Sequence, residues 1–131
     1  MTKFTSNTSI NKPLSEVYSF LADFNNHQQL MPDSIQEWVS TADEASFSIP
    51  NMAKLSLKIE SRITDREIVI IPASKPPFNL ELKWSLLFDN DHTDVLFTIS
   101  ADLNMMMKML ASGPLQKLAD HETQSLKTIL S

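Results

Sequence analysis

The sequence predicts an α+β fold in which a curved antiparallel sheet of about seven strands wraps around a long C-terminal helix, with one or two short helices after the first strand. Three observations carry that expectation. Between residues 35 and 101 apolar and polar side chains alternate, and turn-forming residues break the pattern about every 8 to 12 positions, the rhythm of an antiparallel meander. Beyond Asp102 the period becomes helical to the end of the chain. A sheet with one apolar face needs a cover, and only that last helix is long enough to supply it.

Taken in order, Lys3 to Ile10 places Phe4, Ser6, Thr8 and Ile10 on one face, as a half-exposed strand does. Pro13 changes the period. Proline suits the first turn of a helix, and Leu14, Val17, Tyr18, Leu21 and Phe24 follow at spacings of three and four, so a short amphipathic helix is expected from Pro13 to about Phe24. The polar connector NNHQQLMPDS has room for one further turn around Gln28 to Met31, with Leu30 and Met31 as apolar anchors. Strands are expected at 35–41, 45–49, 53–63, 66–72, 78–88 and 92–101. Turns at Asp43-Glu44, Pro50-Asn51, Thr64-Asp65, Ser74 to Pro77 and Asp89-Asn90-Asp91 separate them. The cleanest alternation opposes Ala53, Leu55, Leu57 and Ile59 to Lys54, Ser56, Lys58 and Glu60, and the series Phe78, Leu80, Leu82, Trp84, Leu86, Phe88 to the residues between them. The final helix opens on Met105, Met106, Met107 and Met109, is interrupted at Gly113-Pro114, and continues through PLQKLADHETQSLKTIL, which predicts a kink. With no repeat, low-complexity tract or linker, residues 1–131 are expected to form one domain.

Composition narrows the function classes. At 42% apolar and 21% charged residues, the chain has the balance of a globular protein and not of a disordered one. Sixteen acids against eleven bases, with no basic run, argue against a nucleic-acid partner. The absence of cysteine removes thiolate nucleophiles, disulfides and Cys-held metals. The polar N-terminus and the lack of about 18 consecutive apolar residues predict no signal peptide and no integral membrane segment, so the expected address is cytoplasmic. One glycine, Gly113, cannot build a phosphate cradle or a nucleophile elbow, and no cofactor is expected.

The opening strand with INKPLSEVYSFLADF, the Leu30-Met31-Pro32-Asp33 entry to the second strand, the Phe78–Phe88 strand and ADLNMMMKML leading into GPLQKLAD resemble the START-like superfamily with the helix-grip fold. The resemblance spans roughly residues 3 to 130. That superfamily includes lipid carriers and aromatic polyketide cyclases, so the resemblance implies an internal pocket and not one reaction. Pro50-Asn51-Met52 departs from the pattern, since relatives often carry glycine in that turn.

At 100° per residue, Leu118, Ala119, Glu122, Leu126 and Ile129 share a stripe of the last helix with Glu122 at its centre. An inward carboxylate can hydrogen-bond a ligand or act as a base with a pKa raised by desolvation, or it can pair with Tyr18, Trp84 or a basic group in the core. Around it, Tyr18, Leu57, Leu82, Trp84, Met106, Met109 and Leu118 are the expected cavity residues, with Trp38, Leu30 and Met31 near the mouth. His27, His92 and His121 match no metal motif. After His121-Glu122, Gln124 and Ser125 stand where a zinc-protease helix needs a second histidine. The leading expectation is a carrier or sensor that buries a small apolar or amphipathic ligand between helix and sheet, its polar group fixed by Glu122. The alternative is a cyclase or dehydratase with Glu122 as general base and Tyr18 or Trp84 steadying an oxyanion.

Overall fold

The computed structural model describes residues 1–50, 53–76 and 78–130. The elements run β1 (Thr2–Ile10), α1 (Leu14–Leu21), a 3₁₀ segment (Phe24–Leu30), β2 (Gln36–Ser40), β3 (Glu44–Ile49), β4 (Ala53–Ile63), β5 (Glu67–Pro72), β6 (Leu80–Asp89), β7 (His92–Ala101) and α2 (Met105–Leu130). The expected turn at Pro50-Asn51, the family departure at Asn51-Met52 and the Pro77 end of the Ser74 turn lie outside the described residues, wholly or in part.

All seven strands join one antiparallel sheet in the order β1-β7-β6-β5-β4-β3-β2. From β2 to β7 each strand pairs with the next in sequence. β1 alone departs from this, pairing with β7 from Thr2↔Ala101 to Ile10↔Thr93. The first two strands therefore occupy opposite edges, and α1 with the 3₁₀ segment carries the chain between them. The sheet curls into a half-barrel, and α2 fills its concave side.

Period-2 alternation in β4, β6 and β7 buries Leu55 and Leu57, Leu80, Trp84 and Leu86, and Val95, Phe97 and Ile99 against Leu115, Ala119 and Leu126 of α2. Trp84 faces Phe97 across the β6–β7 pair, and their rings stack with centroids 4.0 Å apart. The alternation overruns the core at its end, since Phe88 is exposed beside the β6–β7 turn. In that turn Asn90 takes φ 59°, a left-handed conformation that asparagine tolerates.

Two expectations about α2 are corrected. The helix runs without a break through Pro114. Proline removes one backbone bond, and because Gly113 and Pro114 both face outward, water can take the freed carbonyl. Met106 and Met109 do not reach the interior: they are 72% and 82% exposed. In this first part of α2 it is Met107 that packs against the core, and Met106 and Met109 are turned from it by about 100° and 200°.

Helix α1 ends earlier than its apolar stripe suggests, because Asp23 is extended (φ −110°, ψ 111°) and its carboxylate accepts from Asn25 N at 3.0 Å, restarting the chain as a 3₁₀ segment. The last carbonyls of α1, which have no partner within the helix, are met by three side chains. Asn26 Nδ2 donates to Phe20 O at 3.0 Å, His27 Nε2 to Leu21 O at 2.8 Å and Arg62 Nε to Ala22 O at 2.9 Å. Arg62 also donates to Ala42 O at 3.1 Å and to Asp43 Oδ1 at 2.8 Å, so one guanidinium ties β4 to both connections. Arg62→Ala is expected to cost about 1 to 2 kcal/mol in urea unfolding and Asp43→Ala less than about 1, because the carbonyl bonds and not the exposed ion pair carry the effect.

Candidate functional site

The helical stripe read from the sequence reaches the interior: Ala119, Glu122 and Leu126 are buried and Leu118 is half-buried, while Ile129 at its end is 39% exposed. Glu122 looks into a cavity enclosed by α2, the 3₁₀ segment and the concave face of the sheet. Phe24, His27, Met31, Phe47, Leu57, Leu82, Trp84, Leu115 and Leu118 are among its walls. Its volume is about 20 Å³, room for about one water. Of the residues expected there, Leu57, Leu82, Trp84, Leu118 and Glu122 stand on the wall. Tyr18 does not; it is half-buried on α1 and packs against the core elsewhere.

Three polar side chains are among the residues that line this apolar cavity. Glu122 is 2% exposed, and burial alone, with no hydrogen bond or charge, acts on its carboxyl group among the described residues. Burial pushes its pKa up to about 8, so at neutral pH it is chiefly the acid, able both to donate and to accept. The core pairing considered for it, with Tyr18, Trp84 or a basic group, is not made. Trp84 Nε1 is buried with no partner among the described residues.

His27 was missed as a site residue, because it sits in a polar connector string with nothing in its spacing to mark it. The 3₁₀ segment turns it inward, where its ring lies 4.8 Å from Phe24 and 6.1 Å edge-on from Trp84. Burial pulls its pKa down to about 4, against the opposing effects of the Leu21 carbonyl and the Asp23 charge. The ring is therefore neutral at pH 7. Since the Leu21 carbonyl can only accept, the proton sits on Nε2, which leaves Nδ1 as an acceptor. The residues lining the cavity thus include a protonated acid, a neutral imidazole and an indole whose N–H has no partner among the described residues.

Beside the cavity lies an open mouth of about 370 Å³, bordered by Pro32, Ser34 and Ile35 of the connector, Ile49 and Pro50 at the end of β3, and Pro114, Leu115, Lys117, Leu118 and His121 of α2. Cavity and mouth share Ile49, Leu115 and Leu118. Pro32, Ser34 and Ile35 of the connector border the opening, but the anchors expected near it do not: Met31 lies on the cavity wall and Leu30 is buried in the core. Trp38 stands behind, stacked on Phe47 at 5.3 Å with its N–H donating to Ser40 Oγ at 2.9 Å, so it supports the wall and does not rim the mouth. Far from both, the β6–β7 hairpin brings ligand atoms of Asp89, His92 and Asp94 within 4.8 Å of one another. Hydrogen bonding to Asp91 and the charges of Asp94 and Asp89 raise the His92 pKa, and ion pairing accounts for that grouping.

No protein-family model and no curated protein matches this chain by sequence. Solved structures do match it over nearly its whole length. KanY superposes with a TM-score of 0.80 at 10% identity, covering 98% of this chain and 97% of its own. XoxI from Bacillus cereus gives 0.77 at 13%, covering 99% and 96%. The Aha1 dimer from Colwellia psychrerythraea gives 0.69 at 18%, also covering 99% and 96%. At these identities the likeness shows the fold: a curled antiparallel sheet closed by a C-terminal helix, the helix-grip arrangement.

Proposed function

We propose that this chain is a START-like carrier or sensor, folded as one domain, that binds a small apolar or amphipathic molecule between α2 and the concave sheet. The observation that carries the reading is the buried Glu122 carboxyl on the wall of a small apolar cavity, with Trp84, whose Nε1 has no partner among the described residues, on the same wall and a mouth beside them that shares Ile49, Leu115 and Leu118. Buried polar groups are ordinarily satisfied, and an unsatisfied one costs about 1 to 3 kcal/mol. A ligand that brings a hydroxyl or carbonyl to Glu122, Trp84 and His27 recovers that cost. The enclosed volume is too small for a ligand's body, so the body occupies the mouth and the walls between Leu115 and Leu118 give way to admit its inner end.

A second reading has one observation in its favour. Burial moves His27 and Glu122 in opposite directions, to about 4 and about 8, which at neutral pH puts a free base and a protonated acid among the residues that line one cavity. In an enzyme of the dehydratase type His27 is then the base and Glu122 the acid, the reverse of the role expected for Glu122 from the sequence; Tyr18 has no part. His27 at about 4 is a weak base, and this keeps binding ahead of catalysis.

Native mass spectrometry after mild purification tests the binding reading. The expected result is a reproducible mass excess that disappears on denaturation and is absent from Glu122→Leu. An excess that persists in Glu122→Leu would place the bound molecule elsewhere and remove the main support for the reading.

A further inference from the structure

The mouth runs against the charge of the rest of the chain. Acids outnumber bases 16 to 11, yet among the described residues the mouth is bordered by Lys117 and His121 and by no carboxylate, although exposed Asp33 lies between its border residues Pro32 and Ser34. These two lie one turn apart on α2, both exposed, and neither forms an ion pair among the described residues. Inward from them the wall is apolar, formed by Ile35, Ile49, Leu115 and Leu118. The next polar group is Glu122, buried with no cation beside it.

We propose that the mouth is a head-group subsite, in which Lys117 and His121 hold the carboxylate of an amphipathic ligand whose apolar body lies along Ile49, Leu115 and Leu118 toward the cavity. The inference rests on the binding reading above and adds to it: besides the neutral polar group that its inner end brings to Glu122, the ligand carries a carboxylate that stays at the rim. Orientation follows from desolvation. An anion pushed inward to Glu122 loses its water and gains no cation, whereas at the rim it keeps water on one side and meets Lys117 on the other. Lysine suits such a rim, because its flexible stem lies along apolar surface while the ammonium stays hydrated. His121 adds a ring N–H from the next turn of the same face.

Octanoate and octan-1-ol share an apolar body and differ in the head group, so NMR titration of both against the Leu115–Glu122 amides tests the assignment. Wild type is expected to bind octanoate about tenfold more tightly than octan-1-ol. Lys117→Gln is expected to weaken octanoate about threefold to fivefold and leave octan-1-ol unchanged, and Lys127→Gln, on the same helix away from the mouth, to leave both unchanged. These side chains are exposed, so the variants fold. Equal affinity for the two molecules, or an octanoate affinity indifferent to Lys117→Gln, overturns the head-group subsite and leaves the binding reading standing. If neither molecule shifts these amides, both fall.

Discussion

Glu122→Leu is expected to raise the thermal midpoint far more at pH 8 than at pH 5, with a difference of roughly 10 °C between the two gains. The sign follows from proton linkage. Unfolded, the carboxyl titrates at its ordinary 4.5; folded, burial holds it at about 8. Between those values the folded state binds more protons than the unfolded one, so wild-type stability falls as pH rises, by about 1.4 kcal/mol per unit at most. From pH 5 to pH 8 that is on the order of 3 kcal/mol, which the leucine variant does not lose. Calorimetry of both proteins at both pH values measures it, and equal gains would mean that the carboxyl reaches water or a cation. A core position where leucine is the more stable choice is a position where stability has been given up, and binding sites are where such local violations collect.

Trp84→Ala is expected to cost about 3 to 5 kcal/mol, among the largest effects of any single truncation here, because it empties the centre of the sheet's concave face and unstacks Phe97. Trp84→Phe is the informative companion. It removes volume but also removes the N–H that has no partner, a gain of about 1 to 3 kcal/mol that offsets much of the loss. The phenylalanine variant is therefore expected within about 1.5 kcal/mol of wild type in urea unfolding. If it falls as far as its lost volume dictates, a bound water or ligand satisfies the indole N–H.

These two residues also show what the sequence could and could not say. Trp84 and Glu122 were legible because each belongs to a regular element, where a period of two or 3.6 assigns a face before any tertiary contact is known. The six strands of the meander were placed within about two residues for the same reason. His27 was not legible, because a 3₁₀ segment seven residues long has no apolar period of its own, and its inward turn depends on a carbonyl six positions earlier that α1 leaves open. The methionines failed differently. Met106 and Met109 belong to a helix, but α2 meets the core only from about Met107 and Ala111 onward, and composition does not say where along a helix its cover begins. Leu118 was legible from its stripe, but Lys117 beside it was not: only the fold brings it to the rim of the mouth.

The strand order also governs how this protein is made. β1 has one neighbour, β7, and Thr2 meets Ala101 while Ile10 meets Thr93. During synthesis β2 through β6 can zip into hairpins as each emerges, but β1 must wait for almost the whole sheet before it finds its place. Until then Phe4 and Ile10 have no core to enter, and the strand carrying them has an open edge on each side. A nascent chain released before residue 92 thus leaves β1 without the strand it pairs with, which exposes it to chaperone capture and aggregation.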